Sequence, residues 1–158
     1  MRTITPEPLT REAFAPFGEV IQTDGAHQFD INSGTTTRFH ALATAEVGAE
    51  ARAILSIFRG RRRPALTIEM LECHPLGSQA FMPLSNDDWL VVVAEEPNVQ
   101  SLRCFRAAGN QGVSYAPAVW HHPLLVLGES QDFLVVDRLG PGENLQEAVL
   151  PEAAEISL

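Results

Sequence analysis

Trp89-Leu-Val-Val-Val-Ala94 is an apolar run of six residues between the turn formers Asn86-Asp-Asp88 and Pro97-Asn98. It is too short for a buried helix, and its β-branched residues favour extended backbone. Side chains alternate across a strand, so a run that is apolar at every position is covered on both faces. We therefore expect a central strand with a layer on each side.

Working outward, other strand-like segments recur at short spacing: Ala53 to Arg59, Leu66 to Glu72, Gln79 to Pro83, Ser101 to Ala107, Leu124 to Leu127 and Phe133 to Arg138. Gly60, Pro64, Pro75-Leu-Gly77, Gly109-Asn110 and Gly128 punctuate them. Many short strands with almost no helix between them predict an all-β sandwich or barrel rather than a series of βαβ units. Val20-Ile21 and His27 to Asn32 read as edge strands. Thr10 is placed to cap one short helix, with Phe14 and Phe17 three apart and Gly18 as its stop. The tail from Gly140 to Leu158, rich in Pro, Gly and Glu, is expected to wrap over the surface.

The chain has 158 residues, 45% of them hydrophobic, enough for one domain with a sizeable core, and no linker divides it. Twenty acids against 11 bases give a net charge of −9, which disfavours nucleic acid as a partner. The basic run Arg59-Gly-Arg-Arg-Arg63 reads as a solvated turn. Cys73 and Cys104 read as buried free thiols of a reducing compartment. No signal core and no membrane span are apparent, so a cytoplasmic protein is expected.

Chemistry concentrates in two places. In Leu66-Thr-Ile-Glu-Met-Leu-Glu-Cys-His74, alternation puts Ile68, Met70, Glu72 and His74 on one face. A carboxylate and an imidazole at the end of an apolar face are costly unless solvated or used. The second place is Gly112-Val-Ser-Tyr-Ala-Pro-Ala-Val-Trp-His-His-Pro-Leu124, with two adjacent histidines after a proline bend. The spacing Glu72-x-His74-x4-Gln79 has the register of the first cupin motif, and Gly112-x4-Pro117-x4-His122 resembles the second. Glu72 stands where the first motif has a histidine, and Gln79 where it has a glutamate. Glu72, His74, Gln79 and His122 are thus candidate ligands for a divalent transition metal, although a pocket without metal fits the same residues. Counting from Pro117 sends His121 to the opposite face from His122; a shift of one residue at the proline bend exchanges the two.

Longer strings carry a closer likeness. Phe29-Asp-Ile-Asn32-Ser-Gly34, Arg38-Phe-His40, His74-Pro-Leu-Gly-Ser-Gln79-Ala-Phe81 and Val119-Trp-His-His-Pro-Leu124 resemble the ureidoglycolate lyase family of allantoin catabolism, as does Leu9 to Gly18. The likeness covers nearly the whole chain. It implies a cupin-type antiparallel, jelly-roll-like β-barrel, usually a homodimer, that cleaves (S)-ureidoglycolate to glyoxylate and urea, with nickel as a cofactor. On that reading His74, His122 and Glu72 are the candidate catalytic groups. Arg59, whose guanidinium suits a carboxylate, is the first choice for holding the substrate, with Arg38 and His40 second; Asn32 and Gln79 are amides able to pair with the ureido group. Two other readings stay open: a metal-dependent cupin acting on another small carboxylate, and a non-catalytic cupin that binds a small acid.

Overall fold

The computed structural model describes residues 1–158. Its strands are β1 (Arg2–Ile4), β2 (Glu7–Pro8), β3 (Gly18–Ile21), β4 (Gln28–Ile31), β5 (Thr36–Phe39), β6 (Arg52–Arg61), β7 (Thr67–Cys73), β8 (Gln79–Pro83), β9 (Trp89–Ala94), β10 (Arg103–Ala107), β11 (Gly112–Tyr115), β12 (Trp120–His121), β13 (Leu125–Val126), β14 (Ser130–Leu139) and β15 (Gln146–Ile156). The one α-helix, α1 (Arg11–Phe14), starts where expected, and Thr10 Oγ1 accepts a hydrogen bond from the Ala13 amide at 3.1 Å.

Two sheets face each other. The larger runs β1-β15-β7-β12-β9-β10-β2 with β13 also on β9, and the smaller runs β3-β11-β8-β14-β6. β4 and β5 form a separate two-stranded ribbon. The fold is all-β and barrel-like, as expected, with antiparallel pairing except where β1 joins β15 and β2 joins β10 in parallel. The tail departs from expectation: residues 146 to 156 form an 11-residue strand paired with both β7 and β1. Its pattern was obscured because the pairing shifts register between Val149 and Ala154 around Pro151, and a proline has no N–H for the ladder.

β9 behaves as its composition demands. Every residue is buried: Trp89, Val91 and Val93 point into the core between the sheets, while Leu90, Val92 and Ala94 join a second cluster on the other side. The inter-sheet core also holds Phe14, Phe17, Phe81, Phe105 and Phe133, with α1 closing one end through edge contacts of Phe14 with Phe105 at 5.7 Å. The second cluster is roofed by Ile4, Leu150, Ala154 and Ile156 from the chain ends. Ile68 belongs to this second cluster with Leu71, whereas Glu72 lines the cavity between the sheets, so the two do not share the face that alternation predicts. Both cysteines are free and buried.

Phe105 is fully buried among Phe14, Phe17 and the Arg103 guanidinium. Phe105→Ala is expected to lower stability by about 3–5 kcal/mol, read as a drop in the midpoint of a urea titration at unchanged slope.

Candidate active site

A cavity of about 470 Å³ opens between the sheets, lined on one wall by Glu72, His121 and His122, on the other by Gln79, Phe81 and Tyr115, and at the rim by Phe58 to Arg61, Arg63, Pro123 and Leu124. The residues come from ends of strands: Glu72 near the end of β7, Gln79 opening β8, Tyr115 closing β11 and His121 closing β12. Backbone register sets who meets whom. His121 stands directly opposite Glu72 in the β12–β7 pair and opposite Val93 of β9, and directly opposed residues share a face. Gln79 stands opposite Tyr115 in the other sheet.

The ligand atoms of Glu72, His74 and His121 lie within 4.8 Å of one another. The histidine grouped with Glu72 and His74 is thus His121, and the expectation that it points away is corrected. Ala116 accepts a bond from the Val119 amide, Ala118 adopts φ 65°, and its amide donates to the His74 carbonyl at 2.9 Å. This turn shifts the count from Pro117 by one residue. Trp120, one residue before, packs against the second cluster instead of lining the cavity.

The imidazoles are held in a defined tautomer. His74 Nδ1 donates to the Asn144 carbonyl at 2.8 Å and His121 Nδ1 donates to the Val119 carbonyl at 3.0 Å. A carbonyl only accepts, so each Nδ1 carries the proton and each Nε2 carries a lone pair. Both Nε2 atoms are buried without a hydrogen-bond partner, and so is Gln79 Oε1. The Gln79 amide nitrogen donates to Asp137 Oδ2 at 3.1 Å, which fixes its oxygen as the free end. Buried acceptors are normally satisfied. Three orphaned acceptors and a carboxylate, with each histidine steadied through its other nitrogen, fit a divalent cation. His121 Nε2 is 3.6 Å from Glu72 Oε1, beyond hydrogen-bond reach, so a lone pair faces a carboxylate, an arrangement that a cation between them relieves. Tyr115 stacks on His121 with ring centroids 4.1 Å apart and planes 7° off parallel, and burial pushes its phenol pKa up.

His122 is buried on the same wall, its amide donating to the Val92 carbonyl and its Nδ1 to the Pro123 carbonyl at 2.8 Å. Burial pushes its pKa down to about 4, so it is neutral at pH 7.

The expected substrate-holding residues divide sharply. Gln79 is in the cavity. Arg59 reaches only its rim, and its guanidinium is held in a bidentate pair with Asp132 at 2.8 and 3.0 Å. Asn32, Arg38 and His40 lie in or beside the β4–β5 ribbon, and none lines the cavity of its own chain. Asn32 instead bonds Thr36, and the His40 ring packs beside His27 and Phe29. Sequence reasoning missed Arg61 and Arg63, which border the cavity although their run reads as a solvated turn. It also missed Asn144, whose carbonyl orients His74 while its side-chain oxygen takes the Leu76 amide at 2.7 Å; nothing local in the tail signals that contact.

The family model described as ureidoglycolate lyase matches residues 1–157. The chain belongs to the ureidoglycolate lyase family. Its similar relatives include the ureidoglycolate lyase of Burkholderia mallei (strain NCTC 10229), 54% identical over 97% of this chain and 92% of that protein. That of Pseudomonas entomophila (strain L48) is 54% identical over 96% of this chain and 94% of its own length. That of Pseudomonas fluorescens (strain Pf0-1) is 52% identical over 100% and 98%. The matched residues 1–157 include both sheets and the His–Glu cluster.

The depressed pKa of His122 has a sign that can be checked. An unfolded histidine binds its proton near pH 6.5 while the folded one waits until about pH 4. The unfolded state therefore holds more protons between these values, and stability falls as pH is lowered through that window, by at most about 1.4 kcal/mol per pH unit for this group. With chelator present, urea titrations from pH 7 to 4 are expected to show this loss, and His122→Asn is expected to flatten it.

Proposed function

We propose that this protein is a ureidoglycolate lyase that cleaves (S)-ureidoglycolate to glyoxylate and urea. Family membership over nearly the full chain, at 52–54% identity to proteins of that name, carries the reading. The cavity adds chemical support, because the reaction needs proton transfer and anion binding and no nucleophile.

Ureidoglycolate is a hemiaminal whose central carbon bears a hydroxyl, a carboxylate and the ureido nitrogen. The hydroxyl loses its proton, its oxygen becomes the aldehyde carbonyl of glyoxylate, the C–N bond breaks, and the nitrogen takes up a proton to leave as urea. We assign proton transfer to His122, whose Nδ1–H is committed to the Pro123 carbonyl, so that Nε2 has a lone pair to take the hydroxyl proton and then return it to the leaving nitrogen. Glu72, His74, His121 and Gln79 form the ligand set for a divalent metal, for which we favour nickel. Such an ion, when bound, supplies Lewis-acid polarisation of a substrate oxygen. Gln79 is held by Asp137, and the Tyr115 ring braces His121, so the set is oriented before substrate arrives.

We further assign the protein to the cytoplasm, in keeping with its two free thiols, and to a homodimer. The β4–β5 ribbon is exposed along nearly its whole length, including Phe29 and Phe39, and a lone two-stranded hairpin is marginal in water. β6 is an edge strand with Leu55 and Ile57 exposed. A second copy covering these surfaces accounts for both.

Two measurements test this. Purified protein given (S)-ureidoglycolate should yield urea and glyoxylate in equal amounts; His74→Ala, His121→Ala and Glu72→Gln should lose bound metal, and His122→Ala should cut turnover about 10²- to 10⁴-fold while keeping it. Absence of urea release with or without added Ni²⁺ would sink the lyase reading. Light scattering should give twice the chain mass of 17.3 kDa, and the double variant Leu55→Lys, Ile57→Lys should give the monomer; a monomeric wild type at micromolar concentration rules out the dimer.

A further inference from the structure

A small anionic substrate approaching this protein meets a net charge of −9 and, inside the cavity, the Glu72 carboxylate. A metal held by the cluster would offset the Glu72 charge, and the substrate carboxylate still needs a partner that fixes its orientation. Three guanidinium side chains border the cavity: Arg59, Arg61 and Arg63. They are not equivalent. Arg59 already holds Asp132 through two parallel hydrogen bonds, so its planar fork is occupied by a carboxylate of the protein. Arg61, which like Arg63 forms no ion pair and no side-chain hydrogen bond, is the last residue of β6, stands opposite Ser130 and shares by alternation the strand face of Arg59. Arg63 forms no ion pair and no side-chain hydrogen bond; the five ion pairs of the structure engage the N-terminus, Arg59, Arg103, Arg106 and His121.

Position favours Arg63 as well. It lies beyond the end of β6, where strand alternation no longer dictates its side, and it borders the cavity together with His121 and His122. Pro64 follows it, and a residue before proline is confined to extended backbone, which narrows the directions the side chain can take. A free guanidinium presents a fork of N–H donors that matches a carboxylate in two parallel bonds, at a lower entropic cost than a lysine ammonium.

We propose that Arg63 is the residue that binds the substrate carboxylate, and so selects small 2-hydroxy or 2-oxo acids over their neutral amides. This inference rests on the lyase reading for the identity of the substrate, but the anion site is testable without turnover. The role belongs to binding and positioning, since the carboxylate is retained through the reaction and no bond to it changes. Its loss should therefore fall on KM more than on kcat.

The experiment compares wild type with Arg63→Gln, Arg63→Lys and Arg62→Gln. Arg62→Gln removes the same charge one residue away, at a position that does not border the cavity, and so controls for net charge. Urea release gives KM and kcat for ureidoglycolate, and calorimetric titration with glyoxylate, the two-carbon product acid, gives a Kd that needs no reaction. Thermal melts confirm that each variant is folded. We expect Arg63→Gln to raise both KM and the glyoxylate Kd at least tenfold with kcat within about threefold, Arg63→Lys to recover part of the loss, and Arg62→Gln to match wild type. Equal KM and Kd in wild type and Arg63→Gln overturn the proposal while leaving the lyase reading intact. A wild type that binds glyoxylate but releases no urea overturns the lyase reading, and the Kd series then still decides Arg63. A wild type that neither binds glyoxylate nor releases urea overturns both.

Discussion

The pairing of His121 with Glu72 across β12 and β7 is the constraint on which the site depends. It sets a buried imidazole lone pair 3.6 Å from a carboxylate oxygen, with a second such imidazole, His74, 5.3 Å away between ring centroids. Leaving buried acceptors without partners costs free energy of the order of 1–3 kcal/mol each. A chain selected for stability alone would not keep two of them beside one carboxylate. The surrounding strands hold this arrangement in place: β9 supplies the backbone that anchors both His121 and His122, and its apolar side chains tie the two clusters together.

Support for the site comes from remote parts of the chain. Asn144, in the segment leading to β15, fixes the tautomer of His74 and the turn that follows it. Asp137 of β14 turns the Gln79 amide so that its oxygen is free. Tyr115 of β11 lies flat against His121. Each of these contacts orients a group that would otherwise rotate, and preorientation is what lets a small cavity do proton transfer and anion binding without rearranging. The cavity therefore depends on both sheets, and on the tail strand that roofs the second cluster.

Much of this was legible in the chain. The burial of both faces of β9, the cap at Thr10, the buried thiols and the closeness of Glu72 to His74 followed from alternation, capping chemistry and motif spacing. The choice between His121 and His122 did not, because a spacing count assumes regular backbone and the turn at Ala116 to Val119, with Ala118 at positive φ, removes that regularity. The ion pair of Arg59 was hidden for a different reason. Alternation gives the face of a side chain but not its partner, and Asp132 stands directly across from it on β14. The strand at the C-terminus was hidden by Pro151 and by a bulge that breaks the period.

The sequence by itself determined the all-β class, the family, and the residue types that meet in the cavity, because periodicity and short motifs are local properties of the chain. Tertiary structure alone decided which histidine faces Glu72, which cavity arginine is held by a carboxylate of the protein, and which distant carbonyls and carboxylates orient the ligand atoms. Those outcomes depend on register between strands far apart in sequence, and a shift of one residue there moves a side chain to the other face.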